Sequence, residues 1–182
     1  DVSWVMDSLE RLYRQNPFES TRLFGFDDAR TSVYSRIEGL GQQANLVGYA
    51  WAGLKEAFYG EQANKMLVVD YNFLAQAPEK VLRLIYQFID EPWFEGHHYD
   101  GVEFQADEFD QFIGVKGMHR VASKVEFKPR RSILPPDLFE KFQGMNFWKD
   151  VSGSGAFVIA PQQEADAAAP LSPIPLTAAE GS

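Results

Sequence analysis

The chain has 182 residues, a length that suits one domain with a sizeable core. Its 26 Asp and Glu against 17 Lys and Arg leave a net charge of −9, which argues against nonspecific binding to nucleic acid or anionic lipid. Cysteine is absent, so disulfides, thiol nucleophiles and Cys-based zinc sites are excluded. The sequence has no membrane-spanning apolar run and no signal-peptide pattern at its start, so we expect a soluble, cytoplasmic protein.

Three helices are predicted in the first third of the chain. Apolar residues recur at helical spacing over residues 3–15, and Ser3 is placed to cap this first helix. A second helix is expected to start near Ser32. The third is predicted over residues 46–59, where Gly60 is placed to stop it.

A strand followed by a helix is predicted in the middle of the chain. The run Lys65–Tyr71 is the best strand, because its apolar residues continue without interruption, as in a strand covered on both faces of a parallel sheet. Pro78 then stands where the first turn of an amphipathic helix accepts it. Strand, short loop and helix form one unit of an α/β fold, and the rest of the sheet must come from other residues.

Two blocks of opposite charge follow this unit. Residues 90–110 hold eight acids and no Lys or Arg, whereas residues 116–131 hold six Lys or Arg and one acid, Glu126. The basic block is predicted to be a loop that brings cations to one phosphate, and a basic surface that balances the acidic one is an equally good interpretation. From Val151 the composition changes to Ala, Pro, Ser and Gly, so residues 151–182 are predicted to be a disordered tail.

Familiar catalytic motifs are missing from the sequence. It has no GxxxxGK[ST] or GxGxxG phosphate loop and no GxSxG nucleophile elbow. His97, His98 and Asp100 together with His119 suggest a metal site, but adjacent histidines on extended backbone point to opposite sides, so a solvated acidic loop is preferred. The carboxylates from Glu103 to Asp110 suggest an acid–base pair, and a surface loop is again preferred.

Three segments, taken in order, resemble the second half of bacterial sulfotransferases that use PAPS (3′-phosphoadenosine 5′-phosphosulfate) as the donor. They are DVSWVMDSLERL at Asp1, KMLVVDYNFLAQAPEKVLRLIYQFI at Lys65 and GMHRVASKVEFKPRRSILPPDL at Gly117. The resemblance covers about residues 1–150, which it implies are the C-terminal half of one sulfotransferase-like domain. The implied fold class is α/β, the C-terminal part of a P-loop-NTPase-like sulfotransferase fold in which helices flank a parallel sheet. The implied reaction transfers a sulfuryl group from PAPS to an acceptor hydroxyl or amine without a metal.

The resemblance also implies contacts with the donor nucleotide. Ser8, in the first turns of a helix, matches a serine that binds the 3′-phosphate, and Tyr71 matches a tyrosine that contacts the nucleotide. Arg120 and Lys124 lie in the loop that supplies cations to the same phosphate, although they depart from its better-known RKG form. The family's P-loop-like segment, its usual general base and the arginine that accompanies the serine would precede Asp1. No catalytic residue is therefore assigned, and the chain alone is expected to be incompetent.

Three interpretations of the function stay open. The first is a sulfotransferase whose partners are PAPS, its product PAP (3′-phosphoadenosine 5′-phosphate) and an unidentified acceptor. The second is a non-catalytic interaction or structural module derived from such a domain, and the third is a metal or carboxylate hydrolase that uses His97, His98 and the acids near them. Self-association and association with a preceding segment also stay open, whereas nucleic acid and membranes are not expected partners.

Overall fold

The computed structural model of the protein describes residues 1–17, 24, 30–101, 104, 106–113, 119, 121 and 123–161. Within these ranges a helix-rich chain carries a small two-stranded parallel sheet, in agreement with an α/β class. The elements are, in order, α1 Val2–Gln15, α2 Val33–Gly41, α3 Leu46–Tyr59, β1 Leu67–Val69, α4 Tyr71–Gln76, α5 Pro78–Phe88, α6 Asp107–Ile113, α7 Pro136–Gln143 and β2 Phe157–Ile159. None of the helices in the described ranges has both the length and the apolar character needed to cross a membrane.

The helices predicted near the start of the chain are confirmed as α1, α2 and α3. Ser32 caps α2, since its hydroxyl accepts a hydrogen bond from the amide of Ser35 at 3.0 Å. The expectation that Ser3 caps α1 is wrong, because the helix begins earlier and Ser3 is buried inside it. The side chain of Asn146 accepts a hydrogen bond from the amide of Val2 at 2.9 Å and so satisfies the start of α1.

The hydrophobic core forms where α1 packs against α7 and α2. Apolar residues at helical spacing on each of these helices face one another, and Leu134, in the stretch before α7, adds its side chain to the core. The buried members of this core are Val2, Met6, Phe24, Ile37, Leu40, Leu134, Leu138 and Phe142. The helix α1 is therefore held on two sides, which fixes the directions of its polar side chains.

The strand predicted over Lys65–Tyr71 is present but shorter, because β1 covers only its central three residues. The strand ends where Asp70 starts a helix: Oδ1 of Asp70 accepts a hydrogen bond from the amide of Phe73 at 2.8 Å. Tyr71 is consequently the first residue of α4, and its side chain is 72% exposed. The predicted helix with Pro78 in its first turn is confirmed as α5.

The structure differs from the prediction that residues 151–182 are a disordered tail, because this stretch contains β2. β2 pairs in parallel with β1, with Leu67 opposite Phe157, and the ring of Phe157 packs edge-on against Phe88 at 5.2 Å between centroids. The apolar triplet of β2 has strand propensity that the Ala- and Pro-rich composition around it concealed. Residues 162–182 lie outside the described residues.

A buried ion pair joins α1 to α2. Glu10 is fully buried, and Nε and Nη2 of Arg36 donate to its two carboxylate oxygens at 2.9 and 2.6 Å. The guanidinium of Arg36 also lies 4.0 Å from the centroid of the Tyr13 ring. Because a buried carboxylate is costly without partners, this two-point contact fixes how α2 sits on α1.

Replacing Arg36 by Ala is expected to lower the free energy of unfolding by about 3 kcal/mol, because Glu10 then loses its buried partner. This value is at the low end for a broken buried pair, since Arg14 still contacts Glu10 at 2.9 Å. Urea unfolding followed by tryptophan fluorescence measures the loss.

The matched control is Arg83→Ala, which breaks an exposed pair with Glu79 at 2.7 Å. It is expected to cost less than about 1 kcal/mol, since solvent screens exposed pairs. Equal losses for Arg36→Ala and Arg83→Ala would show that the Glu10 pair has no special part in joining the helices.

Candidate functional site

A second buried carboxylate, Asp7, lies on α1 and is 0% exposed. Its Oδ1 accepts hydrogen bonds from the amide of Ile133 at 2.7 Å and from the hydroxyl of Ser132 at 3.0 Å. Its Oδ2 accepts from Nε of Arg11, one turn further along α1, at 2.8 Å. Asp7 therefore binds the irregular segment 130–134 to the surface of α1.

Arg130 lies at the start of this segment and reaches back over α1. Its Nη2 is 2.7 Å from Oγ of Ser8 and 3.2 Å from Oδ2 of Asp7. The guanidinium also lies 5.3 Å from the centroid of the Trp4 ring. The Arg130 side chain is 42% exposed, and its Nε and Nη1 make no hydrogen bond to the residues that the structure describes. These N–H groups are therefore available to an anion from solution.

Ser8 is exposed on the second turn of α1. The partial positive charge of a helix N-terminus falls off within the first turn, so it adds little at this position. The expectation that the helix dipole assists Ser8 is therefore not supported. The positive charge beside its hydroxyl comes from Arg130, at 2.7 Å.

The charge balance around Asp7 is set by its partners. Burial alone would raise the pKa of Asp7, but hydrogen bonds from Arg11, Ile133 and Ser132 outweigh burial and lower its pKa below the ordinary 3.8. Asp7 is consequently ionised at neutral pH. Arg11 and Arg130 both pair with this one carboxylate, so the small cluster carries a net positive charge.

The remaining predicted site residues are placed as follows. Lys124 pairs with Asp100 across an isolated antiparallel bridge, with Nζ 3.6 Å from Oδ1 and both side chains exposed. Tyr71 projects into solvent at the start of α4. Arg120 lies outside the described residues. The structure thus brings Ser8 to the basic block of residues 116–131, and the contact is made by Arg130.

Sequence reasoning missed the pairing of Asp7 with Arg130. A basic block of six cations gives no reason to prefer Arg130 over its neighbours. The i,i+4 spacing of Asp7 and Arg11 was an available signal, because it marks a shared helix face. The burial of Asp7 depends on Ile133, 126 positions later, and no local pattern reports such a contact.

The histidines that suggested a metal site have other contacts. Nε2 of His97 is 3.0 Å from the hydroxyl of Tyr86, and its ring packs against Trp93 at 4.8 Å between centroids. His98 is exposed. Among the residues that the structure describes, no group of three or more His, Asp or Glu is arranged to hold a metal ion.

Comparison of this chain with models of protein families, with curated proteins and with solved structures finds no match.

The lowered pKa of Asp7 predicts a specific dependence of stability on pH. A carboxylate with a lowered pKa stabilises the folded state above its ordinary pKa, and this contribution is lost as pH falls through the folded-state value. The chain should therefore lose stability as pH falls below about 4, and Asp7→Asn should lose less over the same range. Urea midpoints measured between pH 7 and pH 3 check this.

Asp150→Asn is the control for this measurement. The pKa of Asp150 is also lowered, by side-chain and backbone hydrogen bonds from Ser152, but its carboxylate is exposed. Its replacement should therefore change the pH dependence less than Asp7→Asn does. The prediction fails if the wild-type chain and Asp7→Asn lose stability in parallel as the pH is lowered.

Proposed function

We propose that this chain is part of a PAPS-dependent sulfotransferase with a P-loop-NTPase-like fold, and that Ser8 and Arg130 hold the 3′-phosphate of the donor. One observation carries the proposal: Nη2 of Arg130 lies 2.7 Å from Oγ of Ser8 on an exposed surface. Ser8 is the residue to which the resemblance assigns this phosphate. The contact places a guanidinium beside the hydroxyl, as binding of a doubly charged phosphate requires.

The arrangement suits a phosphate for a physical reason. A guanidinium offers donors in a planar fork that matches two phosphate oxygens, and a hydroxyl adds a third donor. The contacts of Arg130 with Asp7 and Trp4 restrict its orientation before any ligand arrives. Less conformational entropy is then lost on binding, which favours affinity.

The rest of the proposed site follows the resemblance. Tyr71, at the junction of β1 and α4, would contact the nucleotide, and Arg120 and Lys124 would add positive charge from the loop. The P-loop-like segment would come from residues before Asp1. Catalysis would rest on in-line positioning of donor and acceptor and on stabilisation of charge at the bridging oxygen. We also propose a cytoplasmic location for the reaction.

The test is binding of PAP to the full-length protein, followed by thermal unfolding. At a concentration of 100 Kd, PAP should stabilise the protein by about 2.7 kcal/mol, which corresponds to a rise in Tm of several degrees. Arg130→Ala should weaken PAP binding about 10- to 100-fold, since it removes a charged hydrogen bond, and Ser8→Ala about 2- to 10-fold.

Two controls make the test specific. Arg83→Ala removes an exposed arginine of α5 and should leave PAP binding unchanged. Adenosine 5′-monophosphate lacks the 3′-phosphate and should bind wild-type protein far more weakly than PAP does. The absence of any PAP-induced shift, or equal binding of both nucleotides, contradicts the proposal.

One observation favours the alternative function, a non-catalytic interaction module. The helix α3 presents large apolar side chains to solvent, with Leu46 53%, Tyr49 75% and Leu54 52% exposed. Thermal unfolding with PAP separates the sulfotransferase from the interaction module. A module without a nucleotide site shows no rise in Tm with PAP, while it still binds another protein or itself.

A further inference from the structure

Arg11 is a second arginine on the surface around Ser8. It follows Ser8 by three positions on α1, a spacing that makes two side chains neighbours on a helix. Its Nε donates to Oδ2 of Asp7 at 2.8 Å, and its Nη2 donates to the backbone carbonyl of Arg131 at 2.6 Å. These two contacts hold the guanidinium of Arg11 between α1 and the segment 130–134.

Two guanidinium groups meet at Oδ2 of Asp7. Nε of Arg11 lies 2.8 Å from this atom, and Nη2 of Arg130 lies 3.2 Å from it. The same Nη2 of Arg130 is 2.7 Å from Oγ of Ser8. A single carboxylate oxygen therefore connects Arg11 to the contact between Arg130 and Ser8, so the hydroxyl and both arginines belong to one cluster.

This cluster has more positive charge than its own carboxylate neutralises. The guanidinium groups of Arg11 and Arg130 share the one negative charge of Asp7. The other buried carboxylate of α1, Glu10, is already paired with two different arginines. Within the described part of the chain, no further acid forms an ion pair with Arg11 or Arg130. One positive charge is therefore left for an anion from solution.

Arg11 also has donors that the fold does not use. Its Nη1 makes no hydrogen bond to any residue that the structure describes, and its side chain is 34% exposed. An arginine that only satisfied Asp7 would have no need of these outward N–H groups, and Arg130 already contacts the same carboxylate oxygen. The free edge of the Arg11 fork can donate to an anion bound beside Ser8.

We infer that Arg11 is a further phosphate-binding residue, and that Arg11 and Arg130 together make the site selective for a doubly charged phosphate monoester. This inference rests on the proposed function, in which Ser8 and Arg130 hold the 3′-phosphate. A phosphate monoester presents three terminal oxygens, and one hydroxyl with two guanidinium groups offers donors to all of them.

The experiment measures how strongly the full-length protein prefers PAP to adenosine 5′-monophosphate, which lacks the 3′-phosphate. Both affinities come from NMR titrations, because this method also measures weak binding. Arg11→Ala should weaken PAP binding about tenfold or more, since a charged hydrogen bond is lost, and should change the binding of adenosine 5′-monophosphate less than about twofold. A residue with a purely structural role would weaken the binding of both nucleotides alike.

Arg14→Ala is the matched control for the loss of an arginine from α1. Like Arg11, Arg14 donates from Nε to a buried carboxylate one turn earlier, in this case Glu10 at 2.9 Å. Glu10 faces α2, whereas Asp7 faces the segment 130–134. Arg14→Ala should therefore have a similar effect on stability and leave the preference for PAP unchanged.

A second variant guards against a change in folding. Arg11→Lys keeps a positive charge for Asp7 but lacks the planar fork. It takes the place of Arg11→Ala if that variant has a lower Tm than Arg14→Ala. The preference of Arg11→Lys for PAP should be at least about threefold below that of the wild type.

The outcomes separate this inference from the proposed function. A wild-type preference for PAP in the Arg11 variant, or an equal fall of this preference in Arg14→Ala, overturns the role of Arg11 alone. Absence of PAP binding by the wild-type protein overturns the proposed function, and this inference with it.

Discussion

The carboxylate of Asp7 holds together two parts of the chain that are 126 positions apart, and the candidate site depends on this contact. An ionised carboxylate with no exposure is costly unless its oxygens are satisfied, and here Arg11, Ser132 and Ile133 satisfy them. The segment 130–134 has no regular secondary structure of its own. These hydrogen bonds therefore set the path of the segment over α1. They also set the position of Arg130, which contacts Ser8.

The helix α1 serves several purposes on different faces. Its apolar face enters the core, Glu10 binds Arg36 of α2, Asp7 binds the segment 130–134, and Ser8 stays exposed between them. Because the core and both ion pairs restrict α1, the Ser8 hydroxyl is carried on a rigid support. A rigid support is what a small anion site needs, since its geometry must be kept within a fraction of an ångström. The anchoring of α1 thus supports the proposed binding of a nucleotide phosphate.

Much of the local structure was predictable from the sequence, and the long-range contacts were not. Helical spacing and Gly60 defined α3, and Pro78 marked the start of α5, because these signals act within a few residues. β2 was missed because three apolar residues in an Ala- and Pro-rich stretch are too few to form a pattern. Ser8 was predicted as a site residue through the resemblance, and it remains a prediction. Arg130 was not predicted as its partner. The path of the folded chain after Lys124 decides which of the six basic residues contacts Ser8, and no local pattern shows that path.

Hydrogen exchange at the backbone amide of Ile133 tests the central claim most directly. This amide lies in an irregular segment, yet it donates to the buried Oδ1 of Asp7 at 2.7 Å. It should therefore exchange at least about a hundredfold more slowly than in the unfolded chain, while the amide of Glu126, in the exposed part of the same stretch, exchanges fast. Equal, fast exchange at Ile133 and Glu126 would mean that Asp7 does not hold the segment to α1, and the site built on that contact would not exist.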